Sequence, residues 1–234
     1  MLMTRWLMAG LAAVSVVATA NTVVIGTRVI YPSNSDQISI QLQNTGSHAS
    51  LIQTWIDEGD VNASPKDSKA PFFITPPTTR IDANETQTLR LKFTGSKQLP
   101  NDRESLFYFN MLDVPPKPKA EDIGESQNYL QFAVRNRLKL FYRPSGLSMR
   151  PQDAYQQVVW RHHSHQQIEI ENPTPYHITF SRVRIGNQVS DSLEMLSPFS
   201  KLIVEVPNSQ KGDKVQWQVV TDHGGIGDGE SLLQ

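Results

Sequence analysis

The sequence predicts an all-β protein made of two β-sandwich domains. Three observations carry that prediction. Beyond residue 20, apolar residues recur with a period of two rather than 3.6, as they do in strands with one buried face. Fifteen Pro and thirteen Gly punctuate the chain at short intervals and leave little room for long helices. Arg143-Pro144-Ser145-Gly146 interrupts the strand series beyond its middle, and 234 residues accommodate two domains of roughly 100 each.

In chain order, residues 1–20 (MLMTRWLMAGLAAVSVVATA) are expected to be a signal peptide. Arg5 is their only charge, and the apolar run from Trp6 to Val17 is shorter than the ~20 residues that span a bilayer. Ala18-Thr19-Ala20 places small residues where signal peptidase needs them, so cleavage is expected before Asn21. The first domain is expected over 21–143. Ile38, Ile40 and Leu42 alternate with Gln37, Ser39, Gln41 and Gln43. Leu51–Ile56 is a further strand, and Leu89, Leu91 and Phe93 alternate with Thr88, Arg90 and Lys92. Ser105–Met111 is apolar on both faces, and Tyr129–Tyr142 (YLQFAVRNRLKLFY) is the longest candidate. Turn clusters separate these strands at Pro32–Ser35, Asn44–Ser47, Pro76-Pro77 and Asp82–Asn84.

The second domain is expected over 146–234. Its strands are Gln157–Trp160, Gln167–Glu171, Ile178–Ile185, Leu202–Val206 and Val215–Val220, with a firm turn at Asn172-Pro173-Thr174-Pro175. After Gly225 the chain reads IGDGESLLQ and carries little β pattern. A solvated tail is expected there, and a second sandwich that ends raggedly.

Composition excludes several functions. The 22 Lys+Arg against 23 Asp+Glu give a net charge of −1, so no basic excess points to nucleic acid or an anionic membrane surface. Cysteine is lacking, which rules out disulfides and thiol nucleophiles. No G-x-S-x-G, H-E-x-x-H or Walker A sequence occurs. His162-His163-Ser164-His165 is the one imidazole cluster. It falls between two apolar strands with no carboxylate or Cys ligand beside it, so a hairpin loop is expected rather than a metal site. Asp57-Glu58-Gly59-Asp60 reads as a solvated turn. No metal, cofactor, enzymatic activity or later membrane span is expected, and binding is the function that remains.

One segment is unusual for a simple sandwich. In Tyr129–Tyr142, Leu130, Phe132 and Val134 share one face, and Gln131, Ala133 and Arg135 share the other. This longest strand follows the longest polar loop, which opens at Pro115-Pro116-Lys117-Pro118-Lys119 and runs to Asn128. Two readings stay open on these residues alone. The strand packs its apolar face in its own core, or it lies at an edge and is shared with another chain by β-augmentation.

Several motifs resemble one family. Leu99–Pro115 (LPNDRESLFYFNMLDVP) looks like the signature of periplasmic pilus chaperones, the PapD-like family, and Leu138–Pro144 (LKLFYRP) looks like its second block. Thr27-Arg28, Thr75-Pro76-Pro77, Glu171–Tyr176, Leu196-Ser197-Pro198 and Asp222–Gly225 fit the same family in order, over the whole expected mature chain. The resemblance implies two immunoglobulin-like sandwiches in a boomerang with a cleft at the elbow. It implies a periplasmic chaperone whose partners are pilus or fimbrial subunits and an outer-membrane usher. The subunit's incomplete sandwich would be completed by a donor strand, with Leu130, Phe132 and Val134 filling its groove. Arg28 and Lys139 would grip the subunit's terminal carboxylate, and Glu104, Arg143 and Asp222 would hold the two domains together. Lys139 has the opposite strand parity to the donor row, which a bulge or a cleft on the other face would reconcile. The moderate loop without a cysteine pair resembles the short-loop subgroup, whose usual clients are rod-like pili. The alternative is a secreted adhesive or structural protein of tandem Ig-like modules.

Overall fold

The computed structural model describes residues 21–117, 131–191 and 193–234. The expected signal peptide and Leu130 lie outside them. Two immunoglobulin-like sandwiches follow one another along the chain. The first contains β1 (Thr22–Val24), β2 (Arg28–Pro32), β3 (Ile38–Asn44), β4 (Ser50–Asp57), β5 (Phe72–Thr75), β6 (Thr78–Ile81), β7 (Thr86–Phe93), β8 (Ser105–Val114) and β9 (Val134–Arg143). Its sheets have the orders β1-β3-β7-β5 and β2-β9-β8-β4-β6. The core between them is set by alternation. Leu42, Leu89 and Leu91 of one sheet meet Phe109, Met111 and Leu140 of the other, all fully buried. Each such side chain contributes ~1.5–3 kcal/mol by leaving water.

The first strand region changes sheets within a few residues. β1 runs antiparallel to β3, whereas β2 runs parallel to β9 in the opposite sheet. The crossing falls at Ile25–Thr27, where Gly26 takes φ +122°, a conformation open to glycine and strained for other residues. This crossing brings Arg28 onto the β9 sheet.

The second sandwich begins with a single helical turn, α1 (Pro151–Ala154). It continues with β10 (Val159–Ser164), β11 (Gln167–Asn172), β12 (Phe180–Ile185), β13 (Gln188–Ser190), β14 (Ser200–Glu205), β15 (Lys214–Val220) and β16 (Ile226–Leu232). Sheets β10-β11-β14 and β13-β12-β15-β16 enclose Trp160, Ile168, Ile170, Ile178, Val215 and Trp217.

Three expectations about where strands begin and end need correction. The residues after Gly225 are a strand, not a solvated tail: β16 pairs with β15 from Lys214↔Leu232 to Val220↔Ile226. Its glycines hide it from a propensity reading, yet Gly229 is required. A Cβ there would sit 2.2 Å from Trp217 Cε2, so only a bare backbone lets the indole lie across the strand. The strand expected over Tyr129–Tyr142 starts at Val134, with Gln131–Ala133 outside it, and at ten residues it is no longer than β8. Its ladder partner explains the start. β8 ends at Val114, and Pro115-Pro116 have no N–H with which to continue the pairing. Finally, His162 and His163 lie within β10, and only His165 falls in the turn to β11.

Candidate binding site at the elbow

β9 is flanked unequally. β8 pairs with all of it but Arg143, from Asp113↔Val134 to Ser105↔Tyr142. β2 pairs with it only from Arg28↔Lys139 to Pro32↔Arg143. Over Val134–Leu138 the outer edge of β9 therefore carries no strand among the described residues. The register against β8 is unbroken, so alternation settles which face each side chain takes. Leu140 and Tyr142 point into the first core, and Val134 and Leu138 share that face, half-buried. Phe132, just before the strand, is 60% exposed.

Arg135, Arg137, Lys139, Phe141 and Arg143 take the opposite, outer face. This face meets the second domain, since the Phe141 ring packs 5.2 Å from the ring of His177. No bulge separates Lys139 from Val134, so the parity difference places Lys139 on the outer face, opposite Val134.

Arg28 and Lys139 are register partners on that face, where the open edge ends. Neither forms an ion pair among the described residues. Arg28 Nε is buried without a hydrogen-bond partner, and its guanidinium carbon lies 5.8 Å from the centre of the Phe141 ring. Burial lowers the pKa of Arg28, although Tyr155, Asp222 and Glu104 pull it back up. Burial lowers that of Lys139 too, and the charge of Arg28 adds to the effect. Two desolvated cations side by side form a site that an anion would relieve.

The elbow charges meet around Arg143. Its Nε donates to Glu104 Oε1 at 2.8 Å, and Nη1 and Nη2 donate to the two Asp222 oxygens at 2.6 and 2.7 Å. Burial opposes the arginine's charge, but these carboxylates outweigh it and raise its pKa. Glu104, 4% exposed, also accepts the His177 backbone N–H at 2.8 Å. The Tyr155 hydroxyl beside this group is pushed up to about 12, by burial first and then by Asp222. Gly224, at φ +80°, closes the contact: a Cβ there would lie 2.7 Å from Thr27 Oγ1, next to Arg28.

One residue escaped the sequence reading. Asp57 is not part of a solvated turn; it ends β4, 2% exposed. It accepts from Arg137 Nη2 at 2.5 Å and Nε at 3.0 Å, from Asn110 Nδ2 at 2.8 Å and from the Gly59 N–H at 2.7 Å. Burial, the largest single effect, would raise its pKa, but the hydrogen bonds from Arg137, Asn110 and the Gly59 N–H, with the charge of Arg137, together outweigh it and hold it below the usual carboxylate range.

Fold and elbow together are those of a two-domain pilus-assembly chaperone, and comparison with known proteins agrees. Residues 21–148 match the family described as pili and flagellar-assembly chaperone, PapD N-terminal domain, and residues 153–231 match the PapD C-terminal domain of pili-assembly chaperones. The chain belongs to this family. It is 43% identical over 217 residues to the chaperone protein HifB of Haemophilus influenzae, covering 93% of this chain and 90% of HifB. The crystal structure of the YadV chaperone of Escherichia coli superposes with a TM-score of 0.77 at 36% identity, covering 92% of this chain and all of that one. A Salmonella enterica structure of the SafA pilin in complex with the SafB chaperone aligns with a TM-score of 0.79 at 27% identity, covering 93% and 99% of the two chains.

Proposed function

We propose that the protein works in the periplasm after loss of residues 1–20, captures pilus subunits by donor-strand complementation and passes them to an outer-membrane usher. The observation that carries this reading is the open half of β9 ending at the Arg28–Lys139 row. A subunit strand running along Val134–Leu138 would pair with the free main-chain groups and end where β2 takes over. Its terminal carboxylate would then lie between two cations that form no ion pair among the described residues, and would form charge-assisted hydrogen bonds with them. Leu130, Phe132 and Val134 would fill the subunit's open groove, each contributing ~1.5–3 kcal/mol when buried. Nothing in this scheme requires a bond to be made or broken.

Phe132→Asp tests the proposal. The ring is exposed in the free protein, so the melting temperature should stay near wild type. Capture of a purified subunit should fall steeply, because a carboxylate in an apolar groove costs several kcal/mol. A variant that melts normally and still holds the subunit at wild-type level would remove Phe132 from the donor row.

A further inference from the structure

Among the described residues, the open half of β9 has one neighbouring strand and half the main-chain pairing of an inner strand. Such a segment frays unless something else holds it. Two guanidinium groups on its outer face reach across the sheet. Arg137 forms a fork with Asp57 through Nε and Nη2, at 3.0 and 2.5 Å, and lies 3.5 Å from the centre of the Tyr108 ring. Arg135 donates from Nε and Nη2 to Asn110 Oδ1 at 3.0 and 2.7 Å and from Nη1 to Val61 O at 2.6 Å. Its guanidinium also covers the Trp55 ring at 4.8 Å. Asn110 lies on β8, and Asp57 and Trp55 lie on β4. Asn110 joins the two arginines, since its Nδ2 donates to Asp57 while its Oδ1 accepts from Arg135. The lattice thus crosses three strands, and it alternates with Val134, Asn136 and Leu138. It grips the outer face of the open segment and leaves its edge unpaired among the described residues.

We propose that Arg135, Arg137, Asp57 and Asn110 form a clamp that keeps the open half of β9 extended and in register before a subunit arrives. They are positioning residues, acting through the strand and not on the subunit. The inference rests on the reading of β9 as the donor strand. Preordering a strand removes part of the entropy cost of pairing, so its loss should appear mainly in the rate of capture.

The test uses the full mature protein. Asp57→Asn removes the charge with little change of shape and leaves the half-buried Arg137 without its ionic partner. Arg135→Gln is the second variant, since it leaves the Asp57–Arg137 pair intact. Hydrogen exchange is followed at the Val134–Leu138 amides of each free variant, together with melting temperature and subunit association rate. Exchange at these amides should rise about tenfold while the β7 amides keep their protection, as expected for local opening. Association should slow by about the same factor, as expected when the competent conformation is less populated. Unchanged exchange at Val134–Leu138 would overturn the clamp, and so would faster exchange with an unchanged association rate. The donor-strand reading is judged separately on the wild-type complex, in which a bound subunit must slow exchange at the same amides. If it does not, that reading fails, whatever the variants do.

Discussion

Lys139 is a cation held where its charge is disfavoured, by burial first and by Arg28 second. Arginine keeps its proton throughout the accessible pH range, so titration of the pair falls to Lys139. A carboxylate bound between them would raise the lysine pKa again, and capture would then take up a proton on the alkaline side. Subunit affinity should be flat at neutral pH and fall as pH climbs through the lowered pKa of free Lys139, by at most about tenfold per pH unit. Lys139→Arg should abolish the slope; equilibrium titrations at rising pH would reject this assignment if the slope persisted in that variant. The free protein should respond in the opposite sense. Its buried lysine loses its proton more readily when folded than when unfolded, so the penalty is fully present at low pH and is relieved as pH rises through the folded pKa. Some residues of the elbow could be picked out in the sequence and some could not. Arg28, Lys139, Glu104, Arg143 and Asp222 could be named from motif resemblance, whereas Asp57 could not. Its neighbours Glu58, Gly59 and Asp60 look like a solvated turn, and its partner Arg137 lies 80 residues away. The available signal was parity: Asp57 is in phase with Trp55 on β4, as Arg135 is with Arg137 on β9.

At the scale of elements, period-two alternation located the strands with a wet face, such as β3 and β7, and gave the existence of β9 but not its start. The start depends on where β8 stops, and Pro115 is remote from Val134 in sequence. Strands of three to five residues, such as β1, β2 and β13, are too short to show a period. β16 failed for a different reason: its glycines carry no β signal because they make room for a neighbour. Gly229 faces the Trp217 indole, whose Nε1 donates to Tyr155 O at 2.9 Å and fixes the ring in place. Gly229→Ala should therefore destabilise the second sandwich by ~1–3 kcal/mol, the usual cost of overpacking a tight contact. Gly225→Ala meets only Thr221 Oγ1 at 3.3 Å and should cost less. Urea unfolding of both variants decides the point; equal midpoints would mean that the indole yields freely and that the glycine is not required for packing.

Across the whole molecule, the division into two sandwiches was legible from the Arg143–Gly146 interruption, but their mutual angle was not. The angle depends on contacts distant in sequence. Glu104 and Arg143 are 39 residues apart, and Arg143 and Asp222 are 79 apart. A buried ion set of this kind is weak evidence for stability, because desolvation offsets much of the attraction, yet removing one member strands the others. The two effects can be separated. Arg143→Met leaves Glu104 buried without its cation and should lower stability by ~3–5 kcal/mol, the range seen when one partner of a buried pair is removed. The triple variant Glu104→Gln, Arg143→Met, Asp222→Asn strands no charge and should recover most of that loss. It should not recover function. Asp222 closes the elbow beside Arg28, and the Gly224–Thr27 contact follows it directly in the chain, so a looser elbow shifts the second domain relative to the Arg28–Lys139 row. Small-angle scattering should then report a broader interdomain distribution for the triple variant, and subunit capture should fall although melting is near wild type. If the triple variant melts and captures normally, the ion set contributes neither stability nor geometry, and the elbow angle must be held by the apolar contact of Phe141 with His177 and by the Glu104 N–H donating to Pro175 O.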